Sequence, residues 1–164
     1  MVELVAAGAA DDELRRELVR YWAAMGAARD EEWLARYWAM MESEAVASPP
    51  HRLLFWAQAY GRRVGFAMGR LVPDWLNPAH LTGYVAEVCV LRQYRRRGYG
   101  RQIATRLVAQ LREAGAADVE LDVLPANRGA MKFWARQGFR PAFVRFRSLS
   151  SGGKGPGRKP SGSP

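Results

Sequence analysis

The chain has 164 residues, about half of them apolar and a quarter charged, and carries a net charge of +9. That suits one folded domain with a core of its own, expected over 1–147. No apolar run approaches the roughly 20 residues of a membrane helix. No basic segment leads into an apolar stretch at the N-terminus, so a cytoplasmic protein with no membrane partner is expected. Cys89 is the only cysteine, which excludes a disulfide framework and a cysteine-based zinc site, and His51 and His80 are not spaced as ligands, so no metal is expected.

Val2 to Ala6 read as a short first strand. Asp11 is placed to cap a helix in which Leu14, Leu18, Trp22 and Met25 recur at helical spacing, with Gly26 as its stop. Asp30 caps a second helix carrying Leu34, Tyr37, Met41 and Ala45 on one stripe, widened by Trp33 and Trp38, and Ser48-Pro49-Pro50 ends it. Leu53–Tyr60 and Val64–Val72 read as a hairpin about Gly61, and a loop containing Trp75 follows. Leu81 to Leu91 is a long strand rich in β-branched residues. Ile103, Ala104, Leu107, Val108 and Leu111 then mark one face of an amphipathic helix closed by Gly115. Val119, Leu121 and Val123 alternate as a strand. Asn127 heads a helix that Gly138 closes, and Phe143–Arg147 is a last strand. Residues 148–164 are rich in Ser, Gly and Pro with scattered cations and are expected to be a disordered basic tail.

The most informative stretch is Arg95-Arg96-Arg97-Gly98-Tyr99-Gly100-Arg101, at the junction of the long strand and its helix. Free N–H groups at a helix start point outward, the helix dipole favours negative charge there, and glycine admits a phosphate close to the main chain. Seven arginines and no acid lie between Val88 and Arg112, a concentration suited to a ligand with several phosphates. A nucleic acid fits the charge, but the Gly-x-Gly geometry favours a compact phosphate group.

Two blocks resemble the GNAT superfamily of acetyl-CoA-dependent N-acetyltransferases. One is Glu87-Val88-Cys89-Val90-Leu91-Arg92-Gln93-Tyr94 with the glycine loop that follows, fitting [Arg/Gln]-x-x-Gly-x-[Gly/Ala]. The other is Leu121-Asp122-Val123-Leu124-Pro125-Ala126-Asn127 with Ala130, Phe133, Trp134, Gly138 and Phe139. The resemblance implies a mixed α/β (α+β) fold, with a mostly antiparallel sheet of six to seven strands, about four helices, and strands 4 and 5 splayed apart. It further implies that acetyl-CoA is the acyl donor. Backbone N–H groups of Arg95, Arg96, Arg97, Gly98, Tyr99, Gly100 and Arg101 would hold its pyrophosphate, and main chain at Val88, Cys89 and Val90 would pair with its pantetheine arm. Asn127 would contact it and Trp134 would border it.

Acetyl transfer to an amine requires a base, polarisation of the thioester carbonyl and stabilisation of the departing thiolate. Two acids border the expected gap. Glu87 shares a strand face with Cys89 unless a bulge intervenes, and Asp122 lies in the second block. Half-burial would raise either pKa toward the range a base needs; the competing expectation is that each pairs with an arginine. An N–H near Cys89 or Val90 is expected to polarise the carbonyl. Many members of the superfamily place a tyrosine, as general acid, seven residues after the Asn; here Trp134 occupies that place, and its indole has no proton to give near neutrality. Cys89 has no base beside it in sequence. The acceptor is expected between the N-terminal helices and the loop after Pro73, a region offering Tyr21, Trp22, Trp33, Tyr37, Trp38 and Trp75, with Glu42, Glu44 and Asp74 as nearby acids. This suggests a small amine, an amino acid or a peptide N-terminus; helical spacing makes most of the aromatic residues core or the face of a homodimer. The rival readings are a non-catalytic acyl-CoA-binding module and, less favoured, a nucleic-acid-binding protein.

Overall fold

The computed structural model describes residues 1–46, 51–74 and 76–142. The expected strand at Phe143–Arg147, the Ser48-Pro49-Pro50 stop, Trp75 and the tail from Ser148 lie outside them. The elements follow the expected order: β1 (Glu3–Ala6), α1 (Asp12–Ala24), α2 (Glu31–Val46), β2 (Arg52–Ala59), β3 (Arg62–Pro73), β4 (Leu81–Val90), α3 (Tyr99–Glu113), β5 (Ala116–Glu120) and α4 (Arg128–Arg136). The five described strands form one sheet in sequential order. The pairs β1–β2, β2–β3 and β3–β4 are antiparallel and β4–β5 is parallel. The parallel pair follows from the α3 crossover, since parallel neighbours need a long connection.

Local chemistry accounts for the boundaries. The Asp11 carboxylate accepts from the N–H groups of Glu13 and Leu14, both at 3.0 Å, and so caps α1. Its other oxygen accepts from the Trp56 indole at 2.8 Å, which ties the helix start to β2. Asp30 accepts from Trp33 N–H at 2.8 Å at the start of α2. Tyr60 and Gly61 both have positive φ (51° and 70°), the backbone of a two-residue hairpin turn between β2 and β3. Met25, expected on the buried stripe of α1, instead forms its C-cap and is 52% exposed.

Both faces of the sheet are covered, so β2 and β3 read as nearly continuous apolar runs. On one face Ile103, Leu107 and Leu111 of α3 pack with Phe55, Ala67, Leu71 and Val85. On the other, Leu14, Leu18 and Met41 of α1 and α2 pack with Trp56, Phe66, Met68 and Cys89. Arg52, 4% exposed, pins α2 to this second face: its guanidinium donates to Glu44 at 2.7 Å, and Arg70 donates to the other Glu44 oxygen at 2.9 Å.

Two irregularities set the geometry of β4. Its pairing with β3 slips by one residue: Met68 lies opposite Glu87, but Gly69 lies opposite Val85, which leaves Ala86 as a bulge. Its pairing with β5 is short. The parallel ladder ends at Tyr84–Glu120, while β4 runs on to Val90, so the two strands part as expected. The expected strand around Val119–Val123 is correspondingly displaced. Pairing begins at Ala116, directly after Gly115 closes α3, and Leu121, Asp122 and Val123 continue beyond the ladder.

Gly65 faces β4 with no room for a side chain: a methyl group there would run into the Cys89 carbonyl oxygen and press on Ile103. Gly65→Ala is expected to destabilise the fold by about 2 kcal/mol or more through strand displacement, read as a lowered urea midpoint. Gly100→Ala, whose added carbon would meet its neighbours at an ordinary 3.6 Å, should leave the midpoint nearly unchanged.

Candidate active site

Beyond Val90 the chain makes one 3-10 turn, Arg92–Tyr94, and enters the glycine loop. Arg96 (φ 63°) and Gly98 (φ 80°) are left-handed on either side of Arg97. Such alternation of backbone hand turns successive N–H groups toward one side, as in anion-binding nests. Gln102 N–H makes the first bond back along α3, to Gly98 O at 3.5 Å, so the N–H groups of Tyr99, Gly100 and Arg101 precede the helical ladder. Arg95, Arg96, Arg97 and Arg101 are exposed around them. Tyr99 packs edge-on to Tyr94, with ring centres 6.5 Å apart. A methyl group at Gly100 would meet Val90 and Phe133 at an ordinary 3.6 Å. The backbone therefore demands glycine at 98, where φ is positive, and not at 100.

The β4 edge facing the gap can be assigned group by group. Leu91 N–H donates to Val64 O of β3 at 2.9 Å. Because backbone polar groups alternate sides along an antiparallel strand, the N–H and C=O of Val90 and Val88 point away from β3, into the gap. Arg95 Nε donates to Val90 O at 3.0 Å, which agrees with that direction. Cys89, expected to share in this main-chain edge, turns its carbonyl toward Gly65 of β3 instead. Its thiol is buried on the α1/α2 face, and burial pushes its pKa up to about 11.

Glu87 lies on the same face as Cys89; the bulge falls one residue before it rather than between them. Its carboxylate accepts a hydrogen bond from the Trp22 indole of α1 at 2.9 Å, and the Tyr21 hydroxyl bonds to it as well. Burial raises its pKa above the usual carboxylate range, and these two hydrogen bonds pull it partly back. Among the described residues no arginine or lysine forms an ion pair with it. Asp122 differs from the expected half-buried acid: it is exposed, because the ladder has already ended at Glu120, and it accepts from the Tyr84 hydroxyl at 3.1 Å. Asn127 is exposed and caps α4, its side-chain oxygen accepting from Ala130 N–H at 3.0 Å. Trp134 is half-buried, edge-on to Phe133 and Phe139 at 5.0 and 5.2 Å, and meets the α3 core.

On the acceptor side, Trp22, Trp33, Tyr37 and Trp38 form one aromatic cluster between α1 and α2. Two acids expected to face the acceptor are committed elsewhere, Glu42 to Arg15 and Glu44 to Arg52 and Arg70. A shallow groove where β4 leaves β5 is lined by Val72, Asp74, Thr82, Tyr84 and Glu120. The partnership of Tyr21 and Trp22 with Glu87 is absent from the sequence reading. Trp22 follows Leu18 at helical spacing and reads as core, and nothing local signals a bond to a residue 65 positions away.

The site is thus a mixed sheet that opens beside a basic, glycine-bearing strand-to-helix loop. Residues 12–139 match the model of the acetyltransferase (GNAT) family, and the chain belongs to that family. It is an acetyltransferase by family. A 57-residue segment, 35% of the chain, is 35% identical to the N-alpha-acetyltransferase MAK3 of Arabidopsis thaliana and spans 30% of that protein's length. Solved structures share the fold. A Trypanosoma brucei acetyltransferase superposes with a TM-score of 0.65 at 22% identity, over 92% of this chain and 100% of that one. A GCN5-related N-acetyltransferase of Ralstonia eutropha gives 0.68 at 18% identity over 91% and 99%. An aminoglycoside acetyltransferase from an uncultured soil sample gives 0.66 at 15% identity over 92% and 97%.

Asn127→Ala is expected to lower stability by about 1 kcal/mol, the usual worth of such a cap, in thermal or urea unfolding. Asn127→Ser keeps an oxygen for the Ala130 N–H and should unfold close to the parent. A reduced CoA affinity in the serine variant would identify the Asn127 amide as a second ligand group beyond its capping oxygen.

Proposed function

We propose that the protein transfers an acetyl group from acetyl-CoA to a primary amine, by direct attack while donor and acceptor are both bound. One observation carries this: β4 is a single strand that offers an open backbone edge, leads into a nest of outward amides, and presents a half-buried carboxylate on the adjoining face. The residues present fit the donor. Amides of 96–101 and the surrounding arginines suit its pyrophosphate, and the gap-facing backbone of Val88 and Val90, with the Val90 oxygen released by Arg95, suits an extended amide chain added to a strand edge. Acetyl-CoA supplies the activated acyl thioester.

The chain's own groups divide the remaining work. Val90 N–H, directed into the gap, is positioned to polarise a carbonyl oxygen. Glu87 takes the proton from the amine, since burial raises its pKa and, among the described residues, no arginine or lysine forms an ion pair with it. As the C–N bond forms, the thioester C–S bond breaks, and CoA leaves as a thiolate that draws its proton from water. The Cys89 thiol, pushed up to about 11, stays protonated near pH 7, which favours direct attack over an acyl-cysteine. The segment similar to an N-alpha-acetyltransferase makes a peptide N-terminus the first acceptor to test, ahead of small amines and amino acids.

The test is CoA release from acetyl-CoA across a panel of peptide N-termini, amino acids and small amines. Glu87→Gln is expected to lower kcat/KM by roughly 10²-fold or more while CoA still binds. In the parent, activity should fall as pH drops through the raised Glu87 pKa, because the base is then protonated. CoA binding without turnover on any acceptor would instead make the protein an acyl-CoA-binding module.

Gly98→Val is expected to abolish CoA binding measured by calorimetry. A branched side chain is strained at φ 80° and would also fill the space in front of the amides. Unchanged affinity in a folded Gly98→Val variant would remove the phosphate-binding role from this loop.

A further inference from the structure

We infer that Trp22 is a positioning residue for Glu87: its indole N–H holds one carboxylate oxygen and keeps the acid ionised and fixed in direction. This rests on Glu87 acting as the base. The hydrogen bond, Trp22 Nε1 to Glu87 Oε1, measures 2.9 Å and joins α1 to β4. An indole N–H donates only, so it can steady a carboxylate without competing for the proton that the carboxylate takes from the amine. A cation in the same place would hold the acid more tightly and depress its basicity.

The Trp22 ring is itself confined. Trp33 and Tyr37 of α2 meet it edge-on at 5.4 and 5.0 Å, and Trp38 lies parallel to it at 6.0 Å. The aromatic cluster thereby gains a role beyond filling space: it fixes the direction of one N–H. Among the described residues, Tyr21 and Trp22 of α1 hydrogen-bond to Glu87. Tyr37 of α2, whose hydroxyl accepts from Arg52 at 3.4 Å, and the Cys89 thiol of β4, which stays neutral near pH 7, interact with it electrostatically. Arg95 and Glu17 act on the Cys89 side of this group. Without the indole, the ionised form of Glu87 keeps the Tyr21 hydroxyl as its hydrogen-bond donor among the described residues.

The sign follows. Removing a donor to the carboxylate favours its protonated form, so Glu87 would hold its proton to higher pH. In Trp22→Phe, which keeps a ring in the cluster, the acid limb of kcat/KM should move to higher pH. Activity should fall roughly tenfold on the acid side and approach the parent's above the limb, as expected for one lost charge-assisted hydrogen bond. CoA affinity should be unchanged, with the loss in kcat rather than in donor binding. A second measurement uses the parent protein alone. The Trp22 indole 15N–1H resonance should shift with pH in step with the Glu87 carboxyl 13C resonance, and that response should vanish in Glu87→Gln.

An indole resonance indifferent to the Glu87 titration would overturn the inference, as would a Trp22→Phe loss that is uniform at every pH. If Glu87→Gln keeps the parent's rate and pH profile, the base assignment falls and takes the role of Trp22 with it. In that case a pH-responsive indole would still record the hydrogen bond, so the two failures are distinguishable.

Discussion

One unpaired residue in β4 decides where the acid stands. With regular pairing extended from Val85–Gly69, Glu87 would lie opposite Ala67, on the face that packs against Ile103 and Leu107 of α3. The bulge at Ala86 advances the strand by one position, puts Glu87 opposite Met68, and sends its carboxylate to the α1/α2 face. Because side chains alternate with a period of two, a slip of one reverses every orientation beyond it. The same slip carries Cys89 with Glu87 and leaves Val88 and Val90 on the α3 side.

The second constraint is the brevity of the β4–β5 ladder. It brings four residues of each strand together and stops. Beyond Tyr84 the far edge of β4 offers backbone groups to whatever enters the gap. β4 also leads into the glycine loop, and a methyl group at Gly100, at the start of α3, would meet Val90 at 3.6 Å. The proposed phosphate and acyl ends of the site are thus two stations on one strand. This suits a ligand that is long, polar at one end and reactive at the other, because a site built on a sheet strand holds its geometry better than one built on loops.

The fold was legible wherever a local cause set it. Asp11, Asp30 and Asn127 are caps with oxygens at bonding distance, the glycine loop sits at the strand-to-helix junction, and the apolar stripe of α3 faces the sheet. The strand expected at Val119–Val123 was displaced because its alternation continues past the point where its partner leaves; side-chain pattern records facing, whereas the ladder depends on a neighbour. The site was legible only in part. Glu87 and the loop stood out by motif. The Trp22 hydrogen bond did not, since it joins α1 to β4 across 65 positions and is made by a residue whose spacing announces core. Glu44 read as an acid for the acceptor, yet it is held by Arg52 and Arg70, one of them buried, a pairing that only the folded arrangement of α2 against β2 and β3 creates.

The Arg95 contact has a consequence for the molecule's life in a crowded solution. A strand edge left without a partner is a template on which another chain's strand can dock, and such edges seed aggregation. Here the guanidinium of Arg95 lies across that edge, engaging the Val90 oxygen that a foreign strand would seek. Docking an apolar strand there would bury the guanidinium charge, which is costly. The guanidinium is also drawn toward phosphate, so the guard that keeps strangers off the edge is one that an anionic guest can lead aside.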